Sequence, residues 1–412
     1  MKIVSLNTQQ FLDFAASHPL NNYMQTQKYA MVMADYGYDY DFIGYMDGST
    51  IVAATLMLSK TITGKTKYGY APKGFLINYY DHDILKSFIE DLKRYYYKLG
   101  YVFIKFNPEI IIGSTDKSNK YLMNRNGNVR IIDILKEMNV KRRKEIKDFD
   151  LLEPQFNAYI DLKKFDIKNI DRNYRKKIRK CINSGMSLTM GDVREMDVLY
   201  PFLKTKRPIS YYRAFYNSFS KDASIDLLFV KVDFEKRLTL IKQKFEEEQV
   251  RNDEYNNIIQ RQPTPSNLNK KMASDKKLEA YKDNIIRATE SLKKHKEVVI
   301  AGALVVKHFN RVSIIASGYS EEFKYMNPNH FLHYAIMERY KPYFNYLDMN
   351  GMTGKFDEET PYKGLDDFKK KWNPTIFEFI GEFDLICSNR TFNRLIKTSF
   401  IEDEFDQHLD HL

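Results

Sequence analysis

The sequence predicts an α/β protein of two related units, the second interrupted by an antiparallel helical hairpin. Three observations carry that expectation. The order strand, strand, helix, strand occurs twice. One stretch ahead of the second occurrence is highly charged and free of glycine. And 412 residues, 43% of them hydrophobic, suffice for two cores. The units are placed at 1–150 and 151–390, the hairpin at 233–297 within the second, and an acidic tail at 391–412.

The first occurrence opens with TIVAATLMLSKTITGKTKYGYAPKG (50–74), an apolar strand, a basic turn and a second strand ending near glycine. DILKSFIEDLKRYYYKLGYVFIKFN (83–107) follows as a helix of 3.6-residue apolar spacing and a further strand. Its counterpart is EVVIAGALVVKHFNRVSIIASGYS (297–320), followed by HFLHYAIMERYKPYFNYLDMN (330–350). Between them, NYRKKIRKCINSG (173–185) sets Tyr174, Ile178, Cys181 and Ile182 on one helical stripe. Arg175, Lys176, Lys177, Arg179 and Lys180 crowd the other side, and Gly185 is expected to end the helix in the left-handed region before MSLTM restarts as a strand. Two readings stand side by side there: a docked helix with a solvated cationic back, and a contact for nucleic acid.

In the hairpin, Leu238, Ile241 and Phe245 form an apolar seam going out, and Leu278, Tyr281, Ile285, Ala288 and Leu292 form a 3-4-3-4 seam coming back. QPTPSN (262–267) breaks the two helices, because its prolines cannot lie inside one. Each arm would be roughly 40 Å long at 1.5 Å per residue, projecting into solvent.

A net charge of +11 favours polyanionic partners: nucleic acid, nucleotide-linked substrates or an anionic membrane surface. The two cysteines, Cys181 and Cys387, lack metal-binding spacing, which excludes a disulfide framework or cysteine zinc site and fits a reducing compartment. MKIVSLNTQQFLDF has no sustained apolar region, and no window approaches 18 apolar residues, so a soluble, cytoplasmic protein is expected.

No GxxxxGK[ST], GxGxxG or GxSxG motif occurs. His330 and His333 stand i, i+3 on a predicted helix without a third ligand, and His408 and His411 lie in the acidic tail, so no metal or other cofactor is expected. Two segments carry more specific chemistry. In TKRPISYYRAF (205–215), Pro208 rigidifies the chain after Arg207, and Tyr211 follows four residues on, on the same side of a helical turn. A planar bidentate donor beside a phenol would clamp phosphate or carboxylate; an exposed Arg at a helix start with a packed Tyr is the plainer reading. In 345–385, a strand and a glycine-containing loop lead to Phe368-Lys369. A Lys there could stabilise an oxyanion, or FKKKW could be a solvated basic turn.

The strand–strand–helix–strand plan resembles the acetyltransferase (GNAT-type) fold, although both units lack its glycine-containing pyrophosphate loop. YMQTQKYAMVM (23–33), YGYAPKGF (68–75), YVFIKFNPE (101–109), the basic helix, TKRPISYY and GLDDFKKKW…FIGEFDL follow one another in an order that resembles the FemABX family of peptidoglycan-bridge aminoacyltransferases, over roughly Asn22 to Leu385. The hairpin resembles the coiled-coil arm of FemA-like and MurM-like members, lacked by shorter FemX-like ones and similar to the tRNA-binding arm of seryl-tRNA synthetases. The resemblance implies two acetyltransferase-like units and transfer of an amino acid from aminoacyl-tRNA to the stem-peptide amine of a muramyl-pentapeptide precursor, UDP-linked or lipid-linked. It implies an acceptor clamp of Arg207 and Tyr211, with Tyr101 and Asn107 as further contacts. Catalysis would fall to Lys369, beside Phe368. Arg175, Lys176, Arg179 and Lys180 would face the tRNA. Peripheral contact with the cytoplasmic membrane face, and a partner of the same family or a second copy, are further expectations. Two positions depart from the family pattern. Asn107 stands where some members have a carboxylate, and an amide is no general base. Met33 stands where FemX-like members have a substrate-binding Lys. A transferase acting on another amine and a non-catalytic RNA-binding module are the alternatives.

Overall fold

The computed structural model describes residues 1–143, 153–204, 207–355 and 358–397. Two mixed sheets form the body. The first runs Lys2–Ser5, Asp39–Asp47, Thr50–Thr63, Thr66–Ala71, Tyr101–Phe106, Phe383–Ile386, Val140–Arg142 in spatial order. The second runs Met186–Gly191, Ile225–Asp233, Glu297–His308, Arg311–Tyr319, Tyr346–Met352, Phe156–Asp161, Thr375–Phe379, Ile111–Thr115, Tyr121–Met123. Each sheet contains the duplicated plan: an antiparallel hairpin, then a helix (His82–Lys98 or Pro328–Tyr340), then a strand parallel to the hairpin's second strand. The chain thus holds two units of one plan. In the second, the parallel register runs only from Arg311↔Tyr346 to Ser313↔Asp348, and the two strands part beyond it.

The division expected at residue 150 is crossed twice in space. Ile111–Thr115, from the first half, pairs with Thr375–Phe379 in the second sheet. Phe383–Ile386, from the end of the second half, fills the first sheet between Tyr101–Phe106 and Val140–Arg142. The units therefore trade strands. A core of their own lies under each helix, and a third core joins them. There Tyr23 and Tyr29 meet Phe215 and Phe219 of the helix Ile209–Ser220 edge-on, with ring centroids 6.2–6.4 Å apart.

The helix Arg172–Ile182 buries Tyr174, Ile178 and Cys181, but Ile182 is 43% exposed and is not part of the stripe. At this last position the chain is already turning: Gly185 follows at φ +77°, and a Cβ there would come within 2.8 Å of the Asp233 carbonyl oxygen at the root of the hairpin.

The hairpin consists of Phe234–Arg261 and Pro265–Lys294, packed against each other along their length. Its seam differs from the expected apolar one. Ile241 and Ala288 are buried, and Leu238, Phe245, Leu278, Tyr281, Ile285 and Leu292 are half-buried near the root. Further out, the same register places Glu248 and Ser274 in the seam, buried and joined by a 2.8 Å hydrogen bond from Ser274 Oγ to Glu248 Oε1. Asn252 Nδ2 donates to Asp275 Oδ1 at 2.8 Å beside them. The heptad thus continues through polar residues, which carry no apolar signal in the sequence.

The expected tail also begins later than residue 391. Apolar Phe392 and Leu395 turn Asn389–Lys397 into a helix that docks on the first unit, Phe392 packing 5.4 Å from Phe103. Residues 398–412, with His408 and His411, lie outside the described residues.

Candidate active site

Lys369 sits in the last turn of the helix Lys363–Lys370 and is buried, at 7% exposure, while Lys371 two residues on is exposed. The solvated-turn reading thus fails at this position. Its Nζ donates to the Gly351 carbonyl at 2.5 Å, tying the helix to the end of the strand Tyr346–Met352. Burial pushes the ammonium down to about 8, against the opposing pull of Asp348 and Asp366. Asp366 is fixed in turn by the Thr353 hydroxyl at 2.5 Å and the Thr353 amide at 3.3 Å. Phe368, the next residue back, points elsewhere. It joins Tyr174, His330, His333 and Trp372 in a cluster of rings 4.3–6.1 Å apart, which seats the basic helix on the second unit. Both histidines belong to this cluster. Burial lowers them to about 3 and about 4, so the imidazoles are neutral, and His333 Nδ1 is held by the Asn329 carbonyl at 2.9 Å. Among the described residues, no group of three or more His, Cys, Asp or Glu is placed to hold a metal ion.

Arg207 and Tyr211 are brought together. Pro208 caps the helix Ile209–Ser220, and the Arg207 guanidinium lies 4.4 Å from the centre of the buried Tyr211 ring. Thr205 and Lys206 of the same motif lie outside the described residues. Burial opposes the charge of Arg207, but the phenols of Tyr211, Tyr29 and Tyr212, with Glu153, more than offset it and raise its pKa.

Between this pair and Lys369 lies a network of charged and polar side chains drawn from both units. Glu109 receives a bidentate contact from Arg311 at 2.9 and 3.0 Å, and Asn22 Nδ2 donates to it at 3.1 Å. Arg311 also donates to the Tyr159 hydroxyl at 2.6 Å. Asp348 accepts from the Asn350 amide at 2.8 Å and from Asn157 at 3.4 Å. Lys105 holds Glu382 and Asp384 at 3.1 and 2.8 Å. Glu153 is within electrostatic reach of Lys73, Arg207, Glu382 and Asp348, and Asp348 is within reach of Lys369, so clamp and lysine are linked through one set of buried charges.

Asn107 joins this network: its Oδ1 accepts from the Lys73 amide at 2.8 Å, and its buried Nδ2 has no hydrogen-bond partner among the described residues. Tyr101 does not. It starts the strand that Asn107 follows, six steps or roughly 20 Å away at strand rise, and packs on Tyr96 at 4.6 Å with its hydroxyl toward Ser59. Met33 is buried in the core between the units. Of the basic helix, Lys176, Arg179 and Lys180 face solvent, whereas Arg175 donates to the Lys168 carbonyl at 2.8 Å. Sequence reasoning missed Lys73, Glu109, Glu153, Arg311 and Asp348. Arg311 read as part of a polar turn and Asp348 as part of a strand. The single trace of Glu153 is its Glu-Pro step ahead of a strand.

With this geometry in view, a model of the FemAB family matches residues 6–396. The chain belongs to the FemAB family. Among its FemAB relatives, the lipid II:glycine glycyltransferase of Staphylococcus aureus is 23% identical over 406 residues, covering 94% of this chain and 93% of that protein. A crystal structure of FemX matches with a TM-score of 0.74 at 20% identity, covering 96% of this chain and 100% of the other. At that identity the likeness is one of fold.

Proposed function

We propose that the chain is an aminoacyltransferase that moves an amino acid from aminoacyl-tRNA to the stem-peptide amine of a lipid-linked peptidoglycan precursor at the cytoplasmic membrane face. The observation that carries this reading is the network of buried charges that links a buried lysine to a guanidinium–phenol pair. Nearly full-length similarity to a lipid II:glycine glycyltransferase supports the acceptor class.

The aminoacyl ester of a tRNA is activated, and a neutral amine attacks it once held in line. Charge then builds on the carbonyl oxygen. Lys369, desolvated and held by Gly351, offsets it where water would compete poorly. Arg207, stacked on Tyr211, binds an anionic group of the precursor, and the buried, unpartnered Nδ2 of Asn107 donates to a peptide carbonyl that reaches it. The exposed cations Lys176, Arg179 and Lys180 and the hairpin meet the tRNA backbone. Incubating the protein with labelled aminoacyl-tRNAs and with UDP-linked or lipid-linked precursor tests the reading. Label transferred to a precursor is the expected result. Tight tRNA binding with no transfer to any amine would leave the RNA-binding module, which gives a buried Lys369 nothing to do.

A further inference from the structure

The carboxylates of this network differ in their commitments. Glu109 is taken up by Arg311 and Asn22, Asp348 by the Asn350 amide and Asn157, and Glu382 by Lys105. Glu153 meets Lys73 Nζ at 3.7 Å, beyond hydrogen-bond length, and no hydrogen bond reaches its carboxylate from the described residues. Its side chain remains 18% exposed, whereas that of Glu382 is 1% exposed. Around it stand the phenols of Tyr23, Tyr29, Tyr70 and Tyr211, each of which feels its charge, together with Arg207, Lys73, Glu382 and Asp348. Lys73 is itself placed by Asn107, which bonds its backbone amide while Lys73 sits at φ +53°. The amide at 107 thus steadies the cation beside a carboxylate that arrives from another part of the chain.

We infer that Glu153 is the proton acceptor of the transfer reaction, resting on the aminoacyltransferase reading above. The amine nitrogen of the acceptor bonds to the ester carbonyl carbon, giving a tetrahedral intermediate with N–H made acidic by the positive nitrogen. The Glu153 carboxylate takes that proton. As the carbon–oxygen bond to the ribose breaks, the protonated Glu153 returns it to the departing oxygen, so an amine and an ester become an amide and a ribose hydroxyl, with no net change at the enzyme. Burial among phenols raises Glu153 above the ordinary carboxylate range, with Lys73 and Arg207 opposing, which suits a group that must both accept and give.

The test uses the full chain with aminoacyl-tRNA and precursor, read by kcat, KM and near-ultraviolet circular dichroism. Glu153→Gln is expected to lower kcat by about 100-fold with acceptor KM within a few-fold of the parent. Glu153→Ala should lose as much and regain turnover on addition of acetate or formate, a rescue that a purely structural carboxylate does not give. Glu153→Gln with parental kcat, or a loss in Glu153→Ala that no small carboxylate restores, overturns the inference. If the Gln and Ala variants fail to fold, Glu153→Asp decides: a tenfold or greater loss of kcat at unchanged KM supports it, and parental kcat overturns it. Absence of transfer by the parental protein would instead count against the function itself.

Discussion

At the scale of single residues, burial sets a lysine against its own environment. Burying Lys369 disfavours the charged form that is useful at an oxyanion, and folded and unfolded states therefore hold its proton differently. Lys369→Met should lower kcat by on the order of 100-fold with acceptor affinity kept, measured by steady-state turnover and calorimetry. The parental kcat should also decline as pH rises past about 8, and Lys369→Arg should carry that limb upward. Stability follows the opposite course. Between the folded value of about 8 and the ordinary 10.5, the unfolded chain binds the extra proton, so this group's contribution improves with rising pH. Denaturation midpoints of the parent minus those of Lys369→Met should climb across that window. Arg207→Ala should weaken acceptor binding by roughly 2–4 kcal/mol in calorimetry, as when one partner of a charge-assisted contact is lost. Arg207, Tyr211 and Lys369 were legible because each stands in a short motif. Arg311, Asp348 and Glu153 were not, because a lone charged residue in a strand or turn looks solvated until another segment covers it.

At the scale of elements, the apolar periods gave the helices and strands, and the paired prolines gave the break in the hairpin. What they hid was the seam beyond Phe245, where Glu248, Asn252 and Ser274 keep the heptad without hydrophobicity. The root of the hairpin is tied to the end of the basic helix: Arg237 donates to the Ser184 carbonyl at 3.3 Å and Lys244 to the Asn183 carbonyl at 3.0 Å. A tRNA drawn along the hairpin would meet the exposed face of Arg172–Ile182 next. Replacing 234–294 by a Gly/Ser linker should leave the body folded and acceptor binding intact, while tRNA binding falls and its salt dependence flattens in filter-binding titrations. Parental transfer by that deletion would assign the hairpin to a protein partner or a second copy.

At the scale of the whole molecule, the duplicated plan was readable, but the traded strands were not. Sequence adjacency says nothing of which sheet a terminal strand completes. Arg311 and Glu109, one from each half, close the contact between the units with both side chains 13% exposed. Arg311→Met should destabilise the protein by about 3–5 kcal/mol, seen in urea denaturation, since it strands a buried carboxylate. Residues 1–150 expressed alone should likewise lack a cooperative melt, and should gain one when 151–412 is supplied. Synthesis meets the same geometry in time. Lys105 and its ion-pair partner Asp384 stand 279 residues apart, so at ordinary elongation rates the inner strand Tyr101–Phe106 waits on the order of half a minute for its neighbour to leave the ribosome. Throughout that wait the nascent chain exposes an unpaired apolar edge, and its yield in the cell should depend on chaperone supply more than its final stability suggests.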